Sequence, residues 1–201
     1  MTPLLTAPTA DLPQFPFLTL LISGGHTLLL LASSLTSFQI LATTADASIG
    51  RAFDKVARTL GLSWGTRGPG AALEEFCCMN SEEAERLPDI QPFSVPMPGK
   101  LAFSFASLQS SVDRNISIMQ EPLSTPHKMA LARTFQTAAA NQLCAKLTLG
   151  LQKLELKGVK VRDVVVSGGV ASNAFLRERR VANDRSVLLC SCSAFAGFKK
   201  H

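Results

Sequence analysis

Apolar and polar residues alternate along the chain with two different periods. Short apolar runs predict buried strands, and stretches whose apolar residues recur every three or four positions predict amphipathic helices. The runs predict strands at residues 17–22, 28–32, 37–42, 103–105, 164–166 and 187–190. The helical pattern predicts helices at residues 47–62, 71–78, from 126 to the glycine at 158, and 173–183. Strands and helices that alternate in this way favour an α/β fold.

Two stretches between these elements are predicted to be irregular. Residues 63–70 contain three glycines and a proline, which are residue types that favour turns. Residues 87–100 contain prolines at positions 88, 92, 96 and 98. Because proline has no amide hydrogen and obstructs the preceding helical turn, this segment is predicted to hold no long helix. Asp46 or Ser48 is the predicted N-cap of the helix that begins near residue 47.

The triplet Ser-Gly-Gly follows two of the predicted strands. One copy is Ser23-Gly24-Gly25, after the strand at 17–22, and the other is Ser167-Gly168-Gly169, after the strand at 164–166. Glycines at a strand end expose backbone N–H groups that no Cβ obstructs, and such groups can bind a phosphate or another anion. The first turn also fits an ordinary tight hairpin. His26 beside it is either a structural imidazole or a donor to a bound anion.

The second turn is followed by Ser172 and Asn173, at the predicted start of a helix. This places glycine N–H groups at the carboxyl edge of a sheet, where α/β proteins bind ligands. Asn173 can offer a donor and an acceptor to a ribose or a base. The alternative is that Ser172 caps the helix and Asn173 contacts no ligand.

Asp54 and the loop at residues 68–70 are further candidates for ligand contacts. Asp54 lies off the apolar side of its predicted helix, with Arg51 three residues before it and Arg58 four residues after it. This spacing favours a solvated ion pair, whereas a functional carboxylate would accept hydrogen bonds from ribose hydroxyls. The sequence Gly-Pro-Gly at 68–70 is either a simple loop or a place where backbone approaches a nucleotide.

Composition and charge limit the size of the core and the kinds of partner that the chain can bind. The chain has 201 residues, of which 46% are hydrophobic and 17% charged, so it can bury the core of one domain or two small ones. A net charge of +5 permits binding to nucleic acid without requiring it. The longest apolar runs have about six residues, far fewer than the ~20 that span a bilayer, so we predict no membrane partner.

The cysteines indicate a reducing compartment. There are five of them, two are adjacent at Cys77 and Cys78, and no Cys-x-x-Cys motif occurs. This is the pattern of neither a secreted disulfide framework nor a zinc site. The first fifteen residues have no basic segment that would mark a targeting peptide.

Four segments together resemble one known family. They are Leu-Ile-Ser-Gly-Gly-His-Thr at 21–27, Gly-Arg-Ala-Phe-Asp-Lys-Val-Ala-Arg at 50–58, Phe-Ser-Phe-Ala-Ser-Leu at 103–108, and Ser-Gly-Gly-Val-Ala-Ser-Asn at 167–173. Their content, order and spacing resemble the TsaD family of tRNA threonylcarbamoyladenosine synthases, which belongs to the actin/Hsp70/sugar-kinase superfamily. The resemblance spans about residues 17–190, and the loop at 66–74 looks most like the fungal mitochondrial branch.

The resemblance implies a fold, a substrate and a set of contacts. The fold would be the actin-like ATPase (ribonuclease H-like) α/β fold, here incomplete. The substrate would be the adenylate threonylcarbamoyl-AMP, whose threonylcarbamoyl group the family transfers to N6 of adenosine 37 in tRNAs that read codons starting with A. The implied substrate-binding residues are Leu21, Ile22, Ser23, Gly24, Gly25, Asp54, Gly70 and Asn173. Further contacts would come from His26, Gly168 and Gly169.

The resemblance also implies cofactors, partners and a location. The family carries one divalent metal ion, iron or zinc, in each subunit. The partners would be tRNA, threonylcarbamoyl-AMP and a second copy of the chain in a homodimer. The fungal branch implies a mitochondrial location, and the cytoplasm is the alternative.

The sequence departs from the family where the metal ligands are expected. The family's His-x-x-x-His pair lies upstream of the first glycine turn, and its Asp-Asn-Gly segment follows the last strand. This chain contains only His26, His127 and His201, and residues 192–201 do not match the Asp-Asn-Gly segment. We therefore expect that this chain holds no metal ligands. We also expect that it corresponds to the interior of a family member and does not modify tRNA by itself.

The predicted organisation is a leader at residues 1–16, a nucleotide-binding region at 17–190 and a divergent tail at 191–201. Two other functions remain open on the sequence. One is a sugar or acid kinase of the same superfamily, which would need a catalytic aspartate and Mg²⁺ on ATP phosphates. The other is a non-catalytic adenylate-binding or interaction protein, which the departures at the metal ligands favour.

Overall fold

The computed structural model describes residues 12–79, 87–119, 122–178 and 187–189. One sheet runs through it in the order β3-β2-β1-β4-β5. The neighbours β1–β2 and β2–β3 are antiparallel, whereas β4 is parallel to β1 and β5 is parallel to β4. The strands are β1 (Phe17–Ile22), β2 (Thr27–Ala32), β3 (Phe38–Thr43), β4 (Val164–Ser167) and β5 (Val187–Leu189).

Helices fill the long connection between β3 and β4 and follow β4. They are α1 (Ile49–Thr59), α2 (Pro69–Cys78), α3 (Ala106–Ile118), α4 (Thr125–Leu156) and α5 (Ala174–Glu178), with a short 3₁₀ helix at Gly169–Ser172. The predicted α/β architecture is confirmed. Residues 179–183 of the last predicted helix, residue 190 of the last predicted strand and the tail at 191–201 lie outside the described residues. No helix in the described part of the chain is long and apolar enough to cross a membrane.

The core lies between the sheet and the two helices α1 and α4. The buried rings of Phe53 on α1 and Phe135 on α4 meet edge to face, with centroids 5.2 Å apart. Helix α4 lies close against the sheet at Gly150, where an added Cβ would lie 2.7 Å from Cδ2 of Leu29. The amide of Gly50 in α1 donates to the carbonyl of Ser23 at 3.4 Å, which places α1 beside the end of β1, where the predicted ligand contacts converge.

The strand predicted at residues 103–105 is wrong. Phe103 makes only an isolated bridge to Thr44, and the next residues begin α3, a helix that the sequence pattern did not indicate. The reason is a cap from a distant part of the chain. Oδ1 of Asp46 accepts hydrogen bonds from the backbone amides of Phe105 at 3.0 Å and Ala106 at 3.3 Å. A carboxylate at this position satisfies free amides and favours the positive end of the helix dipole.

Of the two residues predicted to cap α1, Ser48 is the observed cap, whereas Asp46 caps α3. The Ser48 hydroxyl accepts a hydrogen bond from the amide of Arg51 at 3.4 Å. The proline-rich segment at 87–100 is irregular, as predicted. It is held by Lys146 of α4, whose buried ammonium donates to the carbonyl oxygens of Pro96 and Met97. Burial lowers the pKa of Lys146 because the charged form loses hydration.

Candidate functional site

A cleft lies at the carboxyl edge of the sheet, where β1 and β4 both end. Because these strands are parallel neighbours, with Leu21 opposite Ser167, the two Ser-Gly-Gly turns emerge at the same edge. The cleft encloses about 390 Å³. Its lining combines both turns with α1, α2 and the residues before α5, namely Gly24, Gly50, Phe53, Asp54, Arg67, Gly70, Ala71, Glu74, Gly169, Val170, Ser172 and Asn173.

The first turn is held by its own serine. The Ser23 hydroxyl accepts from the amide of His26 at 2.9 Å and from that of Gly25 at 3.3 Å, and it donates to the His26 carbonyl at 3.2 Å. Ser23 therefore shapes the turn and does not line the cleft. Gly24 is the residue of this turn that does so, and no atom lies within 4 Å of a Cβ built there.

The N-terminus of α1 packs directly against this turn. The Ser48 hydroxyl donates to the Gly24 carbonyl at 2.6 Å, and the Ile49 amide donates to the hydroxyl of Thr27 at 3.0 Å. A Cβ at Gly50 would lie 2.6 Å from the Cα of Gly24, closer than real side chains come. Glycine at position 50 therefore lets α1 support the turn at backbone contact distance.

The second turn is built against the end of β1. Gly168 has φ of +105°, and a Cβ there would lie 2.2 Å from the Ile22 carbonyl oxygen. Only glycine fits both the conformation and the space. Gly169 has no atom within 4 Å of a built Cβ, so its backbone faces the open cleft.

Asn173 is the cap of α5, and the alternative in which Ser172 caps this helix is wrong. Oδ1 of Asn173 accepts from the amide of Leu176 at 3.0 Å, whereas the Ser172 hydroxyl donates to the carbonyl of Gly169 at 2.8 Å. Asn173 is buried and lines the cleft. Since its carbonyl oxygen is engaged by the helix, the side-chain amide remains to donate to a ligand.

Asp54 joins α1 to the start of α2. Its Oδ1 accepts from the amide of Gly70 at 2.9 Å. In the described part of the chain, no ion pair forms between Asp54 and Arg51 or Arg58, so the solvated ion pair that the spacing favoured is absent. The half-buried carboxylate lines the cleft instead, with Oδ2 outside the bond to Gly70.

Glu74 closes the far side of the cleft. Its Oε1 accepts from the amide of Ala174 at 2.7 Å, which ties α2 to the start of α5. Arg67, the basic residue in the lining, pairs with Glu75 at the exposed rim. The cleft thus has two carboxylates, Asp54 and Glu74, each with one oxygen on a backbone amide, and a cation at its rim.

The structure brings five of the predicted contacts together, namely Gly24, Asp54, Gly70, Gly169 and Asn173. The remaining ones lie in the supporting layer or at the surface, namely Leu21, Ile22, Ser23, Gly25, His26 and Gly168. The side chain of His26 is exposed and does not line the cleft.

Sequence reasoning missed seven lining residues, namely Gly50, Phe53, Arg67, Ala71, Glu74, Val170 and Ser172. Gly50 and Phe53 stand beside Asp54 on α1, so a glycine at the predicted start of that helix was an available signal. Glu74 gave no signal, because its hydrogen bond crosses 100 positions of sequence.

The metal ion that the resemblance implies does not fit the described residues. Within residues 12–79, 87–119, 122–178 and 187–189, no group of three or more His, Cys, Asp or Glu side chains could hold one. Burial raises the pKa of the Cys77 thiol to about 12, which keeps it protonated at neutral pH, whereas a metal ligand must be the thiolate. His201 lies outside the described residues.

Comparisons with known proteins identify relatives of this chain. The sequence model of the family TsaD, tRNA N6-adenosine threonylcarbamoyltransferase, matches residues 2–194. The mitochondrial tRNA N6-adenosine threonylcarbamoyltransferase of Schizosaccharomyces pombe is 37% identical over 178 residues, which cover 88% of this chain and 42% of that protein. The tRNA N6-adenosine threonylcarbamoyltransferase of Aromatoleum aromaticum is 37% identical over 190 residues, which cover 92% of this chain and 49% of that protein. The chain spans about half the length of these curated relatives.

The fold is also found among solved structures. Full-length HypF in a phosphate- and nucleotide-bound form superposes with a TM-score of 0.55 at 16% identity, over 86% of this chain and 36% of HypF. At that identity the likeness concerns the fold alone. The predicted actin-like ATPase fold is confirmed.

Proposed function

Because the chain belongs to the tRNA N6-adenosine threonylcarbamoyltransferase family, we propose that its cleft binds the adenylate threonylcarbamoyl-AMP. One observation carries the proposal. Two glycine turns that are more than 140 positions apart in sequence meet at one sheet edge, together with Asp54 and Asn173. Exposed backbone amides, a carboxylate and a primary amide are the groups that recognise phosphate, ribose and base.

We assign each group in the cleft to the part of the ligand that it binds. The amides around Gly24 and Gly169 bind the phosphate, since both glycines leave space for close approach. Oδ2 of Asp54 accepts hydrogen bonds from the ribose hydroxyls, while Oδ1 stays on the amide of Gly70. The amide of Asn173 donates to the ribose or the adenine. Leu21, Ile22, Ser23, Gly25 and Gly168 act by shaping the two turns, and His26 stays a surface residue.

The reaction that we propose for the whole enzyme is an acyl transfer to tRNA. The N6 amine of adenosine 37, in tRNAs that read codons starting with A, attacks the carbamoyl carbon of the bound adenylate. A carbon–nitrogen bond forms, the bond from that carbon to the phosphate oxygen breaks, AMP leaves and N6 loses a proton. The described residues contribute binding and orientation, which make the attack effectively intramolecular. No step is assigned to a metal ion.

A mitochondrial location is part of the proposal, since the Schizosaccharomyces pombe relative is named as the mitochondrial form. A sugar or acid kinase, the first alternative, has no support from the family match over residues 2–194. A non-catalytic adenylate-binding protein, the second alternative, would share the cleft. Nucleoside mass spectrometry of tRNA incubated with the adenylate and the whole enzyme, rather than with the 201-residue chain alone, separates the two, because only a transferase leaves threonylcarbamoyladenosine.

The first prediction is that the 201-residue chain binds AMP with a 1:1 stoichiometry. Because the proposal assigns separate groups to phosphate, ribose and adenine, adenosine should bind at least about fivefold more weakly, the loss of one charge-assisted hydrogen bond. Isothermal titration with AMP, adenosine and ribose 5-phosphate measures both effects. Equal affinities for AMP and adenosine would contradict the proposed phosphate contact.

A further inference from the structure

The outer face of α1 carries a row of basic side chains. Arg51, Lys55 and Arg58 are all exposed and stand at positions i, i+4 and i+7. With 100° between successive residues, the three point in nearly the same direction, along about 10 Å of helix. We call them the basic stripe.

The charge of the basic stripe is not neutralised within the described part of the chain. Asp54 has the spacing to pair with Arg51 and Arg58, but it bonds to the amide of Gly70 instead. The described residues provide no other carboxylate in an ion pair with the stripe. Solvated cations held in one row are an electrostatic footprint for phosphates.

An aromatic side chain extends the basic stripe. Trp64 is 48% exposed, and the guanidinium carbon of Arg58 lies 5.7 Å from its ring centroid. An exposed indole beside cations is the combination that proteins use to stack a nucleobase next to a bound backbone.

The basic stripe borders the cleft. Gly50, Phe53 and Asp54, on the adjoining side of the same helix, line the cleft, while the opposite side of α1 is buried in the core. A macromolecule that contacts the stripe therefore lies within one helix width of any ligand in the cleft.

We propose that the basic stripe and Trp64 bind the sugar-phosphate backbone of tRNA at the mouth of the cleft. This inference rests on the proposed function, since tRNA is the acceptor that must reach the bound adenylate. RNA fits better than a membrane surface, because an interfacial helix needs an apolar face directed outward and the apolar face of α1 is buried. It fits better than an acidic protein segment because Trp64 offers a stacking surface.

The test compares two triple variants of the full chain. The stripe variant carries Arg51→Gln, Lys55→Gln and Arg58→Gln. The control variant carries Lys153→Gln, Lys157→Gln and Lys160→Gln, three exposed lysines in the last turn of α4 and in the segment that leads to the start of β4, at the opposite edge of the sheet from the cleft. Both lose three charges, so any difference between them reports position rather than net charge.

Binding to an unmodified tRNA transcript is measured at several salt concentrations. We expect the stripe variant to bind tRNA at least about tenfold more weakly than the wild type at low salt. The slope of log K against log salt concentration should also be shallower by about 2–3, because each lost phosphate contact reduces the slope by about one. The control variant should keep the wild-type slope. Equal slopes for both variants, or a loss of binding to anionic phospholipid vesicles without a loss of tRNA binding, would overturn the proposal.

Trp64 gives a local readout, since it is the single tryptophan of the chain and there is no tyrosine. Its fluorescence should change on tRNA binding in the wild type and the control variant, and not in the stripe variant. A fluorescence change retained in the stripe variant would contradict the assignment. AMP titrations on all three proteins keep the two claims separate. Absent AMP binding would refute the proposed function, whereas weakened tRNA binding with unchanged AMP affinity supports the stripe alone.

Discussion

Gly168→Ala is expected to destabilise the chain by about 3 kcal/mol or more. Two physical effects add at this position. The φ of +105° belongs to a region that side chains with a Cβ rarely adopt, and the new Cβ would lie 2.2 Å from the Ile22 carbonyl oxygen. That oxygen belongs to the central strand β1, so the clash is relieved only by separating β1 from the turn after β4. For a chain of this size, the Tm should fall by at least about 6 °C.

The matched control is Gly169→Ala, one residue further along. No atom lies within 4 Å of a Cβ at Gly169, and its φ is not in the left-handed region. We expect a change within about 1 kcal/mol, as for most surface substitutions. Thermal and urea unfolding of both variants measure the difference. If Gly168→Ala unfolded at the wild-type midpoint, the close contact between the second turn and β1 would be wrong.

Asp54→Ala is expected to weaken AMP binding by roughly 1–3 kcal/mol, which is about 5- to 150-fold. The variant loses the acceptor that we assign to the ribose hydroxyls, and it frees the Gly70 amide that Oδ1 now holds at 2.9 Å. Isothermal titration gives the affinity, and a thermal melt gives the accompanying loss of stability.

Asp54→Asn separates the two contributions. Its carbonyl oxygen can keep the bond to the Gly70 amide, while an NH₂ group replaces the oxygen that faces the ligand. We expect wild-type stability with an affinity between those of the wild type and Asp54→Ala. Asp89→Ala, which removes an exposed carboxylate that does not line the cleft, should change neither value. Wild-type affinity in both Asp54 variants would return this residue to a purely structural role.

Local features of the fold could be predicted from the sequence. The apolar runs of β1, β2 and β4 bury their side chains in the sheet, so their pattern follows directly from their position. The glycine turns were also predictable, because a turn that ends a strand needs small residues. The positive φ falls on Gly168 and not on Gly25 or Gly169, a distinction that depends on the neighbouring end of β1.

Features that depend on distant residues could not be predicted from local patterns. Helix α3 has only two fully buried apolar side chains, Leu108 and Val112, and its cap comes from Asp46, about 60 positions earlier in the chain. The spacing of Asp54 favoured an ion pair with Arg51 or Arg58, yet its carboxylate accepts a hydrogen bond from the backbone amide of Gly70 instead. Only the packing of α1 against α2 decides which partner a half-buried carboxylate finds.

The central claim is that AMP lies between the two Ser-Gly-Gly turns. Amide NMR of the uniformly ¹⁵N-labelled chain tests it most directly, because glycine amides resonate in a separate region of the spectrum. On titration with AMP, the amides of Gly24, Gly70 and Gly169 should shift with one common affinity, while those of Gly99 and Gly158, which do not line the cleft, should stay in place. Shifts at Gly99 and Gly158 with none at Gly24 and Gly169 would contradict the claim.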